Sequence, residues 1–86
     1  MPEISRFFGI VIRMYFDDHN PPHFHAFYAG KEAQIGIEPI AILEGGLPNR
    51  AASMVFEWAA IHQRELMQNW TRLHTAQLAE RIQPLE

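Results

Sequence analysis

Histidines and carboxylates are concentrated in one short stretch of the chain, from Tyr15 to His25. This stretch contains three of the five histidines, together with two aspartates and two adjacent prolines. Imidazole transfers protons near neutral pH and is also a common metal ligand. Aspartate can assist in either kind of chemistry. The stretch is therefore the first place in the sequence to look for a functional site.

Apolar segments with strand character flank this stretch on both sides. Residues 7–16 are rich in β-branched and aromatic side chains and predict one long strand. Its apolar face is expected in the core: Phe8, Ile10, Ile12, Met14 and Phe16. Residues 17–22 predict a proline-stiffened loop, and residues 23–29 predict a second strand.

The rest of the chain predicts more sheet and then a helix. Residues 32–37 alternate between apolar and polar side chains, as in a half-buried third strand, and residues 40–43 predict a short fourth strand at an edge. Residues 48–70 predict one amphipathic helix, since no proline or glycine interrupts them after Pro48. The inward positions of this helix are expected at Val55, Trp58, Ala59, His62, Leu66, Asn69, Trp70 and Leu73.

These elements predict an α+β fold in a single domain of residues 1–86. A three- to four-stranded antiparallel sheet spans about residues 5–44. One long C-terminal helix, over about residues 48–70 or longer, packs on one face of the sheet and is followed by a short C-terminal tail. The other face of the sheet is expected to be at least partly wet.

Strand alternation places a set of polar and aromatic side chains together on that second face. Arg13 and Tyr15 come from the first strand and His23, His25 and Phe27 from the second. His19 and the aspartates lie at the rim, in the loop. Three interpretations of this constellation remain open.

The first interpretation is a metal site. His23 and His25 are two residues apart on a strand, so both imidazoles project to one side. His19 or an aspartate would supply a third ligand. Three protein ligands with one open position are typical of catalytic zinc. Against this, His-x-His pairs also occur in strands that bind nothing.

The second interpretation is metal-free acid–base chemistry by Arg13, Tyr15, His23 and His25. Histidine would transfer the proton and arginine would stabilise phosphate charge, as in a metal-independent ribonuclease or another phosphate-ester enzyme. No cofactor would then be needed.

The third interpretation is a recognition surface for a protein partner, and composition favours it. Phe27 would belong to this surface. Arg50 is a second candidate, because the first turn of a helix is not where the helix dipole favours a cation.

Charge and composition narrow the class of protein. The net charge is −3 with a single lysine, whereas proteins that grip nucleic acid along the backbone are usually basic. Catalysis on RNA through a few arginines remains open.

The chain has no cysteine, which excludes disulfides and thiolate metal sites. No signal peptide or membrane span is apparent, so a cytoplasmic protein without membrane contact is expected. A domain of 86 residues has a thin stability margin, which a homodimer or a bound partner would widen.

Several segments carry a resemblance to a known family. They are Ile4 to Ile12, Met14 to His19, Pro21 to Ala26, Ile42 to Gly45, Leu47-Pro48, Val55 to Ala59, Glu65-Leu66 and Asn69-Trp70. In these segments the chain resembles the bacterial domain-of-unknown-function family 4160, and the Pro-Pro-His-Phe-His core is the most specific part. The resemblance implies a toxin-like component of a two-gene, toxin–antitoxin-type module that acts by binding a small cognate protein encoded nearby. By analogy with other small toxins it also keeps ribonuclease activity open.

Overall fold

Five antiparallel strands and two helices make up the fold. The computed structural model describes residues 3–86; Met1 and Pro2, which the predicted domain includes, lie outside the described residues. The elements are β1 (Glu3–Phe7), β2 (Ile10–Arg13), β3 (His23–Tyr28), β4 (Lys31–Ile37), β5 (Ile40–Gly45), α1 (Asn49–Ile61) and α2 (Gln63–Leu73). Their order in the sheet is β1-β2-β3-β4-β5, so each strand pairs with its neighbours in sequence. The predicted α+β class and antiparallel sheet are confirmed.

The sheet has five strands, where three to four were predicted, because residues 7–16 do not form one strand. Phe8 and Gly9 have φ values of 50° and 80°, and positive values at both central positions are typical of a two-residue hairpin turn of type I′. The chain therefore reverses between β1 and β2. Phe8 is 59% exposed at this turn and Phe16 is 70% exposed in the loop after β2, so the prediction that both lie in the core is wrong.

The predicted single helix is divided in two at His62. The backbone of His62 is not helical (φ −112°, ψ 24°), and this residue ends α1 and begins α2. Its ring bonds through Nδ1 to Glu65 in the first turn of α2, so His62 is a half-buried residue at a helix junction and not a core histidine. Gln63 Nε2 donates to the Ile37 carbonyl at 2.6 Å, which ties the start of α2 to β4. Neither described helix is long and apolar enough to cross a membrane.

The core lies between one face of the sheet and the inward sides of the two helices. The Trp58 ring centroid is 5.4 Å from that of Phe7 and 5.8 Å from that of Phe24. Aromatic rings bury a large apolar area per residue, which matters in a small domain. Six of the predicted inward positions of the helices are buried: Val55, Trp58, Ala59, Leu66, Asn69 and Trp70. The other buried core residues include Ile4, Ile10, Ile12, Met14, Ala26, Ala33, Ile35, Ile37, Ala51 and Ile82.

The segment after α2 folds back over the core and is longer than the short tail that was predicted. The Gln83 carbonyl accepts a hydrogen bond from Trp58 Nε1 at 2.8 Å. Ile82 is buried, and its backbone N–H donates to the Ile4 carbonyl at 2.8 Å. The tail therefore caps the core and contacts β1.

Candidate metal centre

β3 carries His23 and His25 on the sheet face opposite the core, as strand alternation predicts. Its register pairs His25 with Arg13 of β2 and with Gln34 of β4, and directly opposed residues of an antiparallel pair point to the same face. Both histidines are only 6% exposed. The face as a whole is partly exposed, at Arg13, Tyr15 and Glu32, but the two histidines themselves are buried.

The loop between β2 and β3 brings Asp18 onto the two histidines. Asp18 Oδ2 lies 2.8 Å from His25 Nε2 and 3.4 Å from His23 Nε2. The three atoms that could ligate a metal all lie within 4.8 Å of one another. His19, which the sequence offered as a third ligand, is exposed on the same loop and is not part of this group. The alternative that the sequence left open, an aspartate, is the residue that converges.

The other ring nitrogen of each histidine is held by an acceptor behind the cluster. His23 Nδ1 donates to the Pro21 carbonyl at 2.8 Å, and His25 Nδ1 donates to Glu32 Oε2 at 2.9 Å. A carbonyl or carboxylate oxygen can only accept, so both Nδ1 atoms carry the hydrogen. In a neutral ring, the Nε2 lone pair then points towards Asp18.

This arrangement brings three electron-pair donors together. His25 Nε2 faces Asp18 Oδ2 at 2.8 Å, and two acceptors at that distance repel unless a proton or a cation lies between them. One proton on His25 would satisfy that pair. It would leave the His23 Nε2 lone pair without a donor. A single metal ion would satisfy all three atoms.

Metal-binding histidines usually donate their second ring N–H to a carboxylate or a backbone carbonyl, which orients the ring. Glu32 and the Pro21 carbonyl take these positions here. With metal–nitrogen bonds of 2.0–2.1 Å and tetrahedral angles, ligand atoms lie about 3.3 Å apart. The Asp18 distances of 2.8 and 3.4 Å lie on either side of that value. The donor set therefore fits a transition metal after small side-chain movements.

Aromatic side chains hold the His25 ring on its other sides. Tyr15 lies edge-on at 4.8 Å between centroids, and Phe27 is stacked at 6.4 Å with an interplanar angle of 14°. The Arg13 guanidinium lies 4.9 Å from the centroid of the Phe27 ring. Arg13 Nε is buried without a hydrogen-bond partner among the described residues. The predicted site residues Arg13, Tyr15 and Phe27 thus surround His25, whereas Arg50 is exposed in the first turn of α1, outside this group.

The C-terminal end of α2 supports the loop that carries Asp18. His74 donates from Nδ1 to the Trp70 carbonyl and from Nε2 to the Asp18 carbonyl, both at 2.8 Å. Because both nitrogens donate to carbonyls, first that of Asp18 and then that of Trp70, the pKa of His74 is raised. The Trp70 ring also lies 5.5 Å from that of His23. Sequence reasoning missed His74, since its contact with Asp18 spans 56 residues and depends on where α2 ends.

The family assignment rests on most of the chain. The family described as "Domain of unknown function (DUF4160)" matches residues 9–71. The chain belongs to the DUF4160 family. The matched range contains Asp18, His23, His25 and Glu32 but stops before His74 and the tail. No curated protein and no solved structure matches the chain.

Proposed function

We propose that this DUF4160 domain binds a divalent transition-metal ion through Asp18, His23 and His25, and that its function depends on this metal. One observation carries the proposal: three electron-pair donors converge while the opposite nitrogen of each histidine is committed to an acceptor. A histidine pair held from behind in this way has its free lone pairs directed to one point.

The donor set favours zinc or ferrous iron over calcium or magnesium. Two imidazole nitrogens and one carboxylate suit Zn²⁺ and Fe²⁺, whereas Ca²⁺ and Mg²⁺ prefer oxygen ligands. Zn²⁺ tolerates three protein ligands with a fourth, exchangeable position. We therefore take Zn²⁺ as the first ion to test.

The same geometry gives less support to metal-free catalysis by Arg13, Tyr15, His23 and His25. Both His25 nitrogens already face carboxylates of the protein, and His23 Nδ1 is bonded to a carbonyl. A general acid or base must reach a proton on the substrate. With both Nε2 atoms directed at Asp18, neither ring has a nitrogen left to exchange a proton with a ribose hydroxyl or a phosphate ester.

Metal content and affinity test the proposal on protein prepared without a histidine tag. We expect one Zn²⁺ per chain by elemental analysis, and a loss of affinity of at least about 100-fold in Asp18→Asn, His23→Ala and His25→Ala, since loss of an outer-shell partner alone costs about 10–100-fold. His19→Ala and His62→Ala are the controls and should bind as the parent does. Substoichiometric zinc in the parent, or equal affinity in His23→Ala, would contradict the proposal.

A second proposal, binding of a small cognate protein by a toxin-like component, draws support from β5. This strand lies at the edge of the sheet, and Ile42 and Leu43 on it are 42% and 46% exposed. An extended segment of a partner can add a strand to such an edge, where backbone hydrogen bonds supply affinity and side chains supply specificity. Apolar side chains at the edge favour a peptide over RNA as the occupant.

Co-purification with the product of the adjacent gene tests this second proposal. Ile42→Lys places a charge on the edge strand, and charged side chains discourage edge pairing, so this variant should lose the partner. Ile61→Lys is the matched control because Ile61 is also exposed, at 62%, but lies on α1. Retention of the partner by Ile42→Lys, or no complex with the parent, would contradict the proposal. Growth arrest on expressing the chain alone, relieved by its neighbour, would support the toxin-like role.

A further inference from the structure

A cleft of about 390 Å³ opens beside the metal ligands. The residues that line it include Asp18, His23, Gln34, Leu43 and Glu44. Two of the three metal ligands therefore face this space, while His25 lies behind them. A metal held by three protein ligands has a further coordination position. Because Asp18 and His23 line the cleft, a metal held by them would take its further ligand from this space.

One wall of the cleft is apolar. Leu43 of β5 lies among its lining residues and is 46% exposed. Gly36, the direct cross-strand partner of His23, lies next to this wall. A Cβ atom at Gly36 would lie 3.6 Å from Leu43 Cδ2, which is ordinary contact, but only 2.9 Å from the Pro39 carbonyl oxygen, so the backbone of the turn after β4 requires the glycine.

The charge of the cleft disfavours phosphate substrates. Asp18 and Glu44 are its charged residues, and none of the seven lysines and arginines of the chain is among its lining residues. Enzymes that transfer or hydrolyse phosphate esters stabilise the developing charge with arginine, lysine or metal clamps. A single divalent ion would do no more than offset the two carboxylates. The cleft suits a neutral or cationic substrate.

Glu44 lines the same cleft as the metal ligands Asp18 and His23. Gln34 is the cross-strand partner of both His25 and Glu44, so the three side chains lie in one row on the same face. Gln34 Nε2 donates to Glu44 Oε1 at 3.2 Å, which orients the carboxylate and leaves Oε2 free of that bond. In zinc-dependent peptide hydrolysis a glutamate that shares the cleft with the metal serves as general base, and Glu44 is the carboxylate of this cleft that is not a metal ligand.

We infer that this cleft is the active site of a metal-dependent amide hydrolase acting on neutral or cationic peptide segments, with Glu44 as general base. The inference rests on the metal site proposed above. The metal-bound water gives its proton to Glu44, and its oxygen forms a bond to the carbonyl carbon of the substrate. The C–N bond then breaks, and the proton passes from Glu44 to the leaving amine. One water is consumed, and no other reactant is needed.

Zn²⁺-loaded protein is incubated with a mixed-sequence peptide library, and new amino termini are detected by mass spectrometry. Parallel reactions contain bis(p-nitrophenyl) phosphate or a 20-nucleotide RNA. We expect peptide cleavage that is abolished by chelation, and no phosphodiester cleavage. Glu44→Gln should lower kcat by about 100-fold or more, the usual range for a general base, while keeping one zinc per chain. Glu38→Gln, in the turn after β4, is the control and should keep parent activity.

The outcomes separate this inference from the metal proposal. Stoichiometric zinc without peptide cleavage overturns the hydrolase and leaves the metal site standing. Cleavage of the phosphodiester overturns the substrate class. Full peptide activity in Glu44→Gln overturns the role of Glu44, and absence of zinc from the parent overturns both proposals. Peptide cleavage that persists in His23→Ala would show an activity from another source and also counts against the inference.

Discussion

At the scale of single residues, the candidate site depends on the hydrogen-bond partners of its metal ligands as well as on the ligands themselves. His25 is held from opposite sides by Asp18 and Glu32, at 2.8 and 2.9 Å. Glu32 is 47% exposed at its side chain, so by itself its ion pair with His25 would contribute little to stability. Its role in the proposed site is to hold the hydrogen on Nδ1 and to increase the electron density at Nε2.

Replacing Glu32 therefore tests whether the carboxylate tunes the metal ligand. We expect Glu32→Gln to weaken Zn²⁺ binding by about 10–100-fold, because a neutral amide polarises the imidazole less than a carboxylate does. Isothermal titration calorimetry with a competing chelator measures the change, and thermal unfolding of the metal-free protein checks that the fold is retained. Glu38→Gln is the control. Equal zinc affinity in the two variants would show that Glu32 does not act on His25.

Sequence alone placed His23, His25, Arg13 and Phe27 on one face, because the period of two along a strand is independent of tertiary context. It did not choose between His19 and an aspartate as the third ligand. Adjacent residues in an irregular loop have no fixed period, so the choice depends on contacts such as that of His74 with the Asp18 carbonyl. The burial of the histidines was missed for the same reason.

At the scale of elements, the sequence predicts which segments are strands and which are helices better than it predicts where each strand or helix begins and ends. A glycine occurs in both hairpin turns, but Gly30 follows the strand predicted over residues 23–29, whereas Phe8-Gly9 lies inside the strand predicted over residues 7–16. Both turns have positive φ at the two central residues, but a phenylalanine at such a φ is uncommon, and the apolar residues on both sides continue the strand pattern. The break between the helices at His62 likewise has no proline or glycine to predict it. Tertiary contacts override the local helix propensity there.

The C-terminal tail is held to α2 by one buried side chain. Asn69 is 2% exposed. Its Nδ2 donates to the Glu80 carbonyl at 2.8 Å, and its Oδ1 accepts from the Glu80 N–H at 2.9 Å. This reciprocal pair gives the tail a fixed register on the helix. The burial of Asn69 among the inward residues of α2 is therefore explained by its hydrogen bonds to the tail, and not by a contact with the sheet.

Asn69→Ala should release the tail. We expect a loss of about 2 kcal/mol in the free energy of unfolding, from two hydrogen bonds worth about 1 kcal/mol each. Limited proteolysis should cleave residues 74–86 earlier than in the parent. Denaturant unfolding measures the first effect, and mass spectrometry of the digest measures the second. Gln68→Ala, at the exposed neighbouring position, is the control, and an Asn69→Ala variant that behaves like it would show that the tail is held by other contacts.

At the scale of the whole molecule, β1 and the tail are joined across the full length of the described chain. Glu3 bonds to the Arg6 guanidinium through both carboxylate oxygens, at 2.7 and 3.1 Å. Arg81 Nη1 donates to Glu3 Oε2 at 3.2 Å, over a separation of 78 residues. The tail thus closes on the strand at the opposite edge of the sheet from β5. The sequence could not predict this contact, because three charged residues at an exposed edge show no periodic pattern.

This charge cluster predicts a dependence of stability on acid pH. Bonding to Arg6, and then to Arg81, lowers the pKa of Glu3 from its ordinary value of 4.5 to about 2. A carboxyl group whose pKa is lower in the folded state stabilises the fold while it is ionised. That contribution is complete above pH 4.5 and is lost as the pH falls from there towards about 2. Glu3→Gln removes the charge, so the parent should be more stable than this variant near neutral pH, and the two should converge at low pH.

Denaturant unfolding at a series of pH values from about 7 to 2 measures the difference between the two proteins, over the range that the lowered pKa defines. Glu57→Gln, on the exposed side of α1, is the control for a general change in net charge. The difference should be constant above about pH 5 and should shrink steadily below it. The contact is exposed, so added salt should also reduce the difference by screening. A difference between parent and Glu3→Gln that does not change with pH would mean that the Arg6 and Arg81 contacts do not persist in solution, and that the tail is held by its other contacts, such as those of Asn69, Trp58 and Ile82.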